Sequence, residues 1–315
     1  MLLDLFITHY NEPWEVGKRG FQMLACQRNV DWSNIRITLV HDGTPAFPDE
    51  CFAGFPFVVN QITISHRGIA AVRNWCIDHS IAEWIKWNDF DDTFFHTFSL
   101  FDIVNVLNNG FDMLWYDLLF DDHNRIHLRT DRNPVFIHDK VFRRQFLIDH
   151  NIRFNEELTW CEDSAFLAVV EMEIDHQRIG KIKCSYPLYL YIVRDGSLCN
   201  RPDIKFKNLQ SFFMRHCYVA DEFLKRNLID QYNTMCVRVM CDSYYTLNRA
   251  PGINEDKSEH EKRVWEWFDA HKDAFYKCTD EWFDRVIVAV NNECFDGGSI
   301  TKEDVMTWIH AHEGR

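Results

Sequence analysis

Apolar residues in the first two hundred positions come in short runs that end abruptly in polar ones, with helix-spaced stretches between. The run LLDLFITHY (2–10) reads as a first strand, IRITLV (35–40) as a second and FPFVVNQITI (55–64) as a third. Residues 83–88 give a fourth, and a further strand falls near 111–120. Residues 16–29, 68–82 and about 96–109 have the spacing of helices, with Phe21, Leu24 and Ala25 on one face of the first. Strands separated by helices of this length predict an α/β fold with a mostly parallel sheet flanked by helices. In such sheets ligands bind beyond the carboxyl ends of the strands.

From about residue 203 the pattern changes. Residues 205–230, 233–248, 258–276, 280–295 and 301–312 read as amphipathic helices. Ser258-Glu259-His260-Glu261 and Thr301-Lys302-Glu303-Asp304 resemble capping boxes, and Asn248-Arg249-Ala250-Pro251-Gly252 is a breaker between helices. Trp265, Trp267, Phe268, Phe275, Trp282 and Phe283 read as the core of this part. The expected division is an α/β domain over 1–200 and a helical C-terminal region over 201–315.

Composition narrows the function classes. The net charge of -14 opposes broad binding to nucleic acid or to anionic membranes. The eleven cysteines include no CxxC pair, which fits free thiols in a reducing cytoplasm better than a disulfide framework or a zinc site. The N-terminus lacks a basic segment and carries Asp4 inside its apolar run, so it reads as a strand rather than a signal peptide. No apolar run approaches the ~20 residues of a membrane span.

Polar residues collect at three strand ends: Thr8-His9-Tyr10-Asn11-Glu12, His41-Asp42-Gly43-Thr44, and Asn88 to Asp92. The last places Asp89, Asp91 and Asp92 within four residues. Like charges this close raise one another's pKa, so water on an exposed turn or a bound cation must compensate them.

Two more segments complete an ordered set: HRGIAAVRN (66–74) and FNEELTWCEDSAF (154–166). The order TxYNE, VHDGT, GxxxARN-like helix start, NDFDD and an ED pair before a helix resembles the family-2 glycosyltransferases of the GT-A fold, over about residues 2–200. The resemblance implies a nucleotide-activated sugar, with UDP the expected nucleotide, and an inverting transfer to an acceptor hydroxyl. A sugar nucleotide's diphosphate must leave, and a divalent metal neutralises it. Mg²⁺ or Mn²⁺ prefers carboxylate oxygens. Alternate strand residues share a face, so Asp89 and Asp91 are expected on one side, with Asp91 as direct metal ligand and Asp89 on the ribose or the metal through water. Asp92 is expected to cap a following helix.

By the same resemblance Tyr10 stacks on a pyrimidine, Asp42 accepts from its imide N–H, and Thr8, Asn11 and Glu12 line the same edge. Gly68 opens a helix that carries Arg73, which faces the acidic motif or the diphosphate. Asp163 is the expected general base, with Glu162 shaping the acceptor site. The sequence departs from the family at His41, which stands where a second acid is common, and at Tyr191–Ser197, which lacks the metal-binding histidine of many relatives. Arg194 and Ser197 are expected to hold phosphate there, with Asp195 a further possible ligand. Asp121-Asp122 reads as a hairpin turn, and His123, His176 and His216 as surface or core histidines.

Two other readings compete. A nucleotidyltransferase would want a Gly-rich, Lys/Arg-bearing loop after the first strand, where TxYNE is acidic and lacks glycine. A non-catalytic nucleotide-sugar binding module would tolerate loss of the acids that remain at Asp91 and Asp163. The acceptor is open among glycan, lipid-linked glycan, protein and nucleic acid, the last not favoured.

Overall fold

A computed structural model describes residues 1–122, 125–132, 134–194, 205–293 and 298–314. The chain divides into two compact units, Met1–Arg201 and Pro202–Arg315. Ser197 and Asp195, expected near a phosphate or metal, and His123 lie outside the described residues.

The first unit contains strands β1 (Leu3–His9), β2 (Ile35–Asp42), β3 (Val59–Ile64), β4 (Trp84–Asp89), β5 (Thr93–Phe94), β6 (Met113–Trp115), β7 (Leu118–Asp121), β8 (Ile126–Arg129), β9 (Lys140–Arg143), β10 (Ile179–Lys181) and β11 (Tyr189–Ile192). Its helices are α1 (Trp14–Ala25), α2 (Ile69–His79), α3 (Ser99–Val106), α4 (Arg144–Asp149) and α5 (Glu162–Glu173). Seven strands form the main sheet in the order β10-β6-β9-β4-β1-β2-β3, and β5-β11-β7-β8 form a second. The neighbours β4, β1, β2 and β3 run parallel, while β9 lies antiparallel between β4 and β6. This is the mostly parallel α/β sheet that the alternating runs predict.

β1 is buried along its whole length, as expected of a central parallel strand covered on both faces. Asp4 survives inside it because Arg36, its register partner on β2, donates to both carboxylate oxygens at 2.7 and 2.8 Å, and the Ile81 amide adds a third bond at 2.9 Å. Leu5, Leu39, Trp84, Leu100, Ile103 and Leu114 anchor the core.

Two expectations need correction. The apolar stretch near 111–120 is two strands, because the chain leaves the main sheet after Trp115 and enters the smaller one at Leu118. The third strand starts at Val59, not at 55; Phe55 and Phe57 pack as rings against Phe21 and Trp32. Both errors have one cause: side-chain hydrophobicity reports burial, and a loop ring can be buried as well as a strand residue.

The second unit is helical: α6 (Lys205–Lys225), α7 (Ile229–Asn248), α8 (Ser258–Lys277), α9 (Asp280–Glu293) and α10 (Lys302–Glu313). The Thr301/Asp304 capping box forms. The one at Ser258 does not, since Ser258 is already helical and its amide donates to Asp256 at 2.9 Å. Phe268, Phe275 and Phe283 are core, whereas Trp282 is 46% exposed. His216 is buried against Asp242 at 2.9 Å. The nine described cysteines are free, and only Cys76, Cys236 and Cys241 are fully buried. Among the described residues no helix is long and apolar enough to cross a membrane.

Candidate active site

Register alone brings the polar strand ends together. Thr8 on β1 lies opposite Asp89 on β4, and His9 opposite His41 on β2. The Thr8 hydroxyl donates to Asp89 Oδ1 at 3.1 Å. Just past β1, Asn11 adopts a left-handed backbone at φ 62°, and the Glu12 carboxylate folds back to accept from the Tyr10 amide at 2.9 Å. The exposed Tyr10 ring stacks on His66 with centroids 4.5 Å apart. Tyr10, the residue expected to hold a base, thus offers a flat ring at the rim.

Asp42 has a different immediate role from the one expected. Its Oδ1 accepts from the Arg67 amide at 2.9 Å, and its Oδ2 from His66 Nδ1 at 2.9 Å and the Gly68 amide at 3.0 Å. Both oxygens therefore hold the loop that launches α2. Gly68 at φ 90° is the residue before that helix, and the backbone there excludes an ordinary side chain. Gly43 is equally constrained, because a Cβ would sit 2.5 Å from His66 Cβ. His41, which replaces an expected acid, is buried against His9, with the two Nδ1 atoms 2.8 Å apart, and burial pushes its pKa down to about 4.

The acidic motif is arranged otherwise than simple alternation predicts. β4 ends at Asp89, and the chain then turns, with the Asp92 amide donating to Asp89 O at 3.2 Å. Past the last paired residue, period-two alternation no longer decides which side chains share a face. Asp89 and Asp92 therefore converge, and with His138 they offer three ligand atoms within 4.8 Å of one another. Asp91, the expected direct ligand, instead accepts from Arg194 Nε at 2.6 Å, and Arg194 also reaches Glu12 at 3.4 Å. Asp92 caps no helix, since β5 follows it; it accepts from Tyr189 OH at 3.1 Å and the Ile192 amide at 2.8 Å.

His138 is the site residue the sequence did not reveal. It lies just before β9, a strand too short to leave a periodic signal, and its Nε2 sits 3.4 Å from Asp89 Oδ2. Burial pushes its pKa down to about 4, so the ring is neutral at physiological pH, as a metal ligand must be. Burial raises Asp92 well above the ordinary carboxylate range, and repulsion from Asp91 and Asp89 adds to it. Asp89 is held below its ordinary value: burial opposes this, but His138, Arg73, the Thr8 hydroxyl and Lys86 outweigh it. Beneath the cluster Lys86 is wholly buried, its ammonium 4.6 Å from the Tyr189 ring centroid and donating to His138 O at 2.9 Å. Two carboxylates and one imidazole within reach of one another fit Mn²⁺ or Mg²⁺, Mn²⁺ tolerating the nitrogen better.

Arg73 joins the two acidic motifs. It is 2% exposed, and its Nη1 donates to Glu162 Oε1 at 2.8 Å and to Asp163 Oδ1, while Nη2 lies 3.5 Å from Asp89. Burial opposes its charge, yet Asp163, Asp89 and Glu162 together hold its pKa above the ordinary arginine value. The adjacent Asn74 pins the segment before α5, donating to Phe154 O and accepting from Phe154 N, both at 2.9 Å. Burial raises Asp163 well above its ordinary value; Arg73 opposes this, and Glu162 and Asp89 reinforce it.

The sequence matches no protein-family model and no curated protein. Solved structures do resemble it. A crystal structure of S. aureus TarS residues 1–349 aligns at TM-score 0.61 and 16% identity, covering 91% of this chain and 83% of that one. The same protein in complex with UDP-GlcNAc aligns at TM-score 0.62 and 16% identity, over 93% of this chain and 85% of that one. The chain has the GT-A fold. A longer TarS structure aligns at TM-score 0.62 and 15% identity, and there the chain spans 50% of its counterpart, so the GT-A likeness concerns half of that protein.

Proposed function

We propose that this chain is an inverting glycosyltransferase that moves a sugar from a UDP-sugar to an acceptor hydroxyl. The observation that carries the reading is Arg73, whose one guanidinium faces Asp89 of the acidic motif and both Glu162 and Asp163. Donor-side and base-side carboxylates thus belong to one site at the carboxyl ends of parallel strands. The TarS structures with UDP and with UDP-GlcNAc support a uridine nucleotide at such a site. Residues 1–200 form the transferase domain in this reading and 201–315 a helical accessory region. The free thiols fit a reducing, cytoplasmic setting.

In this reading Tyr10 presents its face to the base, Thr8, Asn11 and Glu12 line the nucleotide edge, and Asp42 with Gly68 shapes the loop beside it. Arg194, now paired with Asp91 and Glu12, is the cation this reading assigns to the diphosphate. Asp89, Asp92 and His138 would hold a divalent cation in this reading, with Asp91 close by in the sequence. When bound, that cation neutralises the charge of the leaving diphosphate. The acceptor oxygen attacks the anomeric carbon from the face opposite the diphosphate. The bond to the diphosphate oxygen breaks with its electron pair, and the acceptor's proton passes to the Asp163 carboxylate. Glu162 and Arg73 hold that carboxylate in place.

Thermal shift tests the donor and metal halves together. UDP-GlcNAc with Mn²⁺ should raise the melting temperature more than either alone, as a ligand that binds only the folded state must. Asp92→Asn should remove the metal-dependent part. Without metal the same substitution should cost less stability at high pH than at low pH, because burial penalises the charged form of the native carboxylate and the amide has no charge to bury. Equal metal response in wild type and variant would remove Asp92 from the site.

A further inference from the structure

The smaller sheet turns one face toward the acidic cluster. Tyr189 on β11 donates to Asp92 Oδ2 at 3.1 Å, and its ring is parallel to His138 at 5.9 Å. Register continues that face outward, pairing Tyr191 with Phe120 and Leu118 with Arg129 on the edge strand β8. Tyr191 stacks on Phe120 at 4.9 Å and lies 5.2 Å from Phe136, which is itself 6.4 Å from His138. A continuous aromatic wall therefore runs from the candidate metal ligand to the sheet edge.

Arg129 ends the wall. Its guanidinium lies 5.5 Å from the ring centroids of both Phe120 and Phe136. Among the described residues it makes no ion pair and no side-chain hydrogen bond, in a chain of net charge -14 where carboxylates are abundant. A half-buried cation against apolar rings loses part of its hydration, so an incoming anion gains more there than at an exposed arginine. The guanidinium fork matches the two oxygens of a phosphate or carboxylate.

We propose that this wall is the acceptor subsite and that the acceptor is an anionic glycan, its phosphate or carboxylate held by Arg129. The proposal rests on the transferase reading for the word acceptor, and on Arg129 and its rings for the anion. The aromatic faces exclude water beside the group, and His138 marks the inner end that meets the reacting centre.

Ligand-observed NMR titration in metal-free buffer tests it with three probes: glucose 6-phosphate, glucuronate and glucose, each with and without UDP. Glucose 6-phosphate or glucuronate should bind about tenfold or more tighter than glucose, the size of a charge-assisted bond, and comparison of the two identifies the anion. The series R129K and R129Q, which keeps an aliphatic stem over the rings, should weaken the anionic probe progressively and leave glucose unmoved. UDP should not displace it. Equal binding of all three probes, an R129Q variant that binds like wild type, or displacement by UDP would each overturn the proposal. UDP release from UDP-GlcNAc by the wild-type chain reads the transferase claim separately. Its absence alongside Arg129-dependent anion binding would fault that claim and leave the anion subsite standing.

Discussion

Asp163→Asn should bind UDP-GlcNAc with near wild-type affinity while sugar transfer falls by ~10²–10⁴-fold, the usual worth of a positioned base. The amide keeps the size of the side chain and can stay beside Glu162 and Arg73, but it cannot take a proton. Burial, with repulsion from Glu162 and Asp89, raises this carboxyl well above 3.8, so the acid limb of the transfer rate should lie above the ordinary carboxylate range. The same shift sets a sign for stability. The native state binds the proton more tightly than the unfolded chain, so stability falls as pH rises from about 4 through the raised pKa and levels off beyond it. Asp163→Asn should lack that decline. Calorimetry for donor affinity, initial rates for transfer and melting curves against pH measure all three. Transfer at the wild-type rate would move the base elsewhere, with Glu162 next in line.

Arg73→Met should cost about 3–5 kcal/mol of stability at neutral pH, because removing one partner of a buried ion pair strands the others. Three carboxylates lose their shared cation, and Phe154 loses a guanidinium 5.6 Å from its ring centroid. In a domain of this size that is on the order of 10 °C in melting temperature. The deficit should shrink as pH falls and the raised Asp163 takes up a proton, which removes its need for compensation. Arg73→Lys should recover only part, since one ammonium cannot reproduce the fork that serves Glu162, Asp163 and Asp89. A variant that melts with wild type and keeps its pH profile would mean that water, not Arg73, carries the compensation.

Much of the fold was legible because its central strands and long helices carry strong local signals. β1, β2 and β4 are apolar runs that stop at polar residues, and the five C-terminal helices keep one apolar face over three turns or more. The rest depends on contacts that local sequence does not encode. β9 (Lys140–Arg143) is four residues long and enters the main sheet antiparallel beside β4, which ended at Asp89. Nothing in its pattern announces that it delivers His138 to Asp89. The three aspartates after Lys86 were visible as charge, but which two converge was set by the turn at Phe90–Asp92, where strand alternation has ended. Of the cations around that charge, Arg73 from α2 was expected to face it and Lys86 lies on β4 itself, whereas the pairing of Arg194, from beyond β11, with Asp91 depends on contacts far apart in the chain.

The most direct test of the central claim is release of UDP from UDP-GlcNAc by the purified wild-type chain, followed over time with Mn²⁺ and again after EDTA. The account predicts steady UDP formation with the metal and its collapse on chelation. No UDP from UDP-GlcNAc or any other UDP-sugar, with Mn²⁺ or Mg²⁺ present, would contradict it.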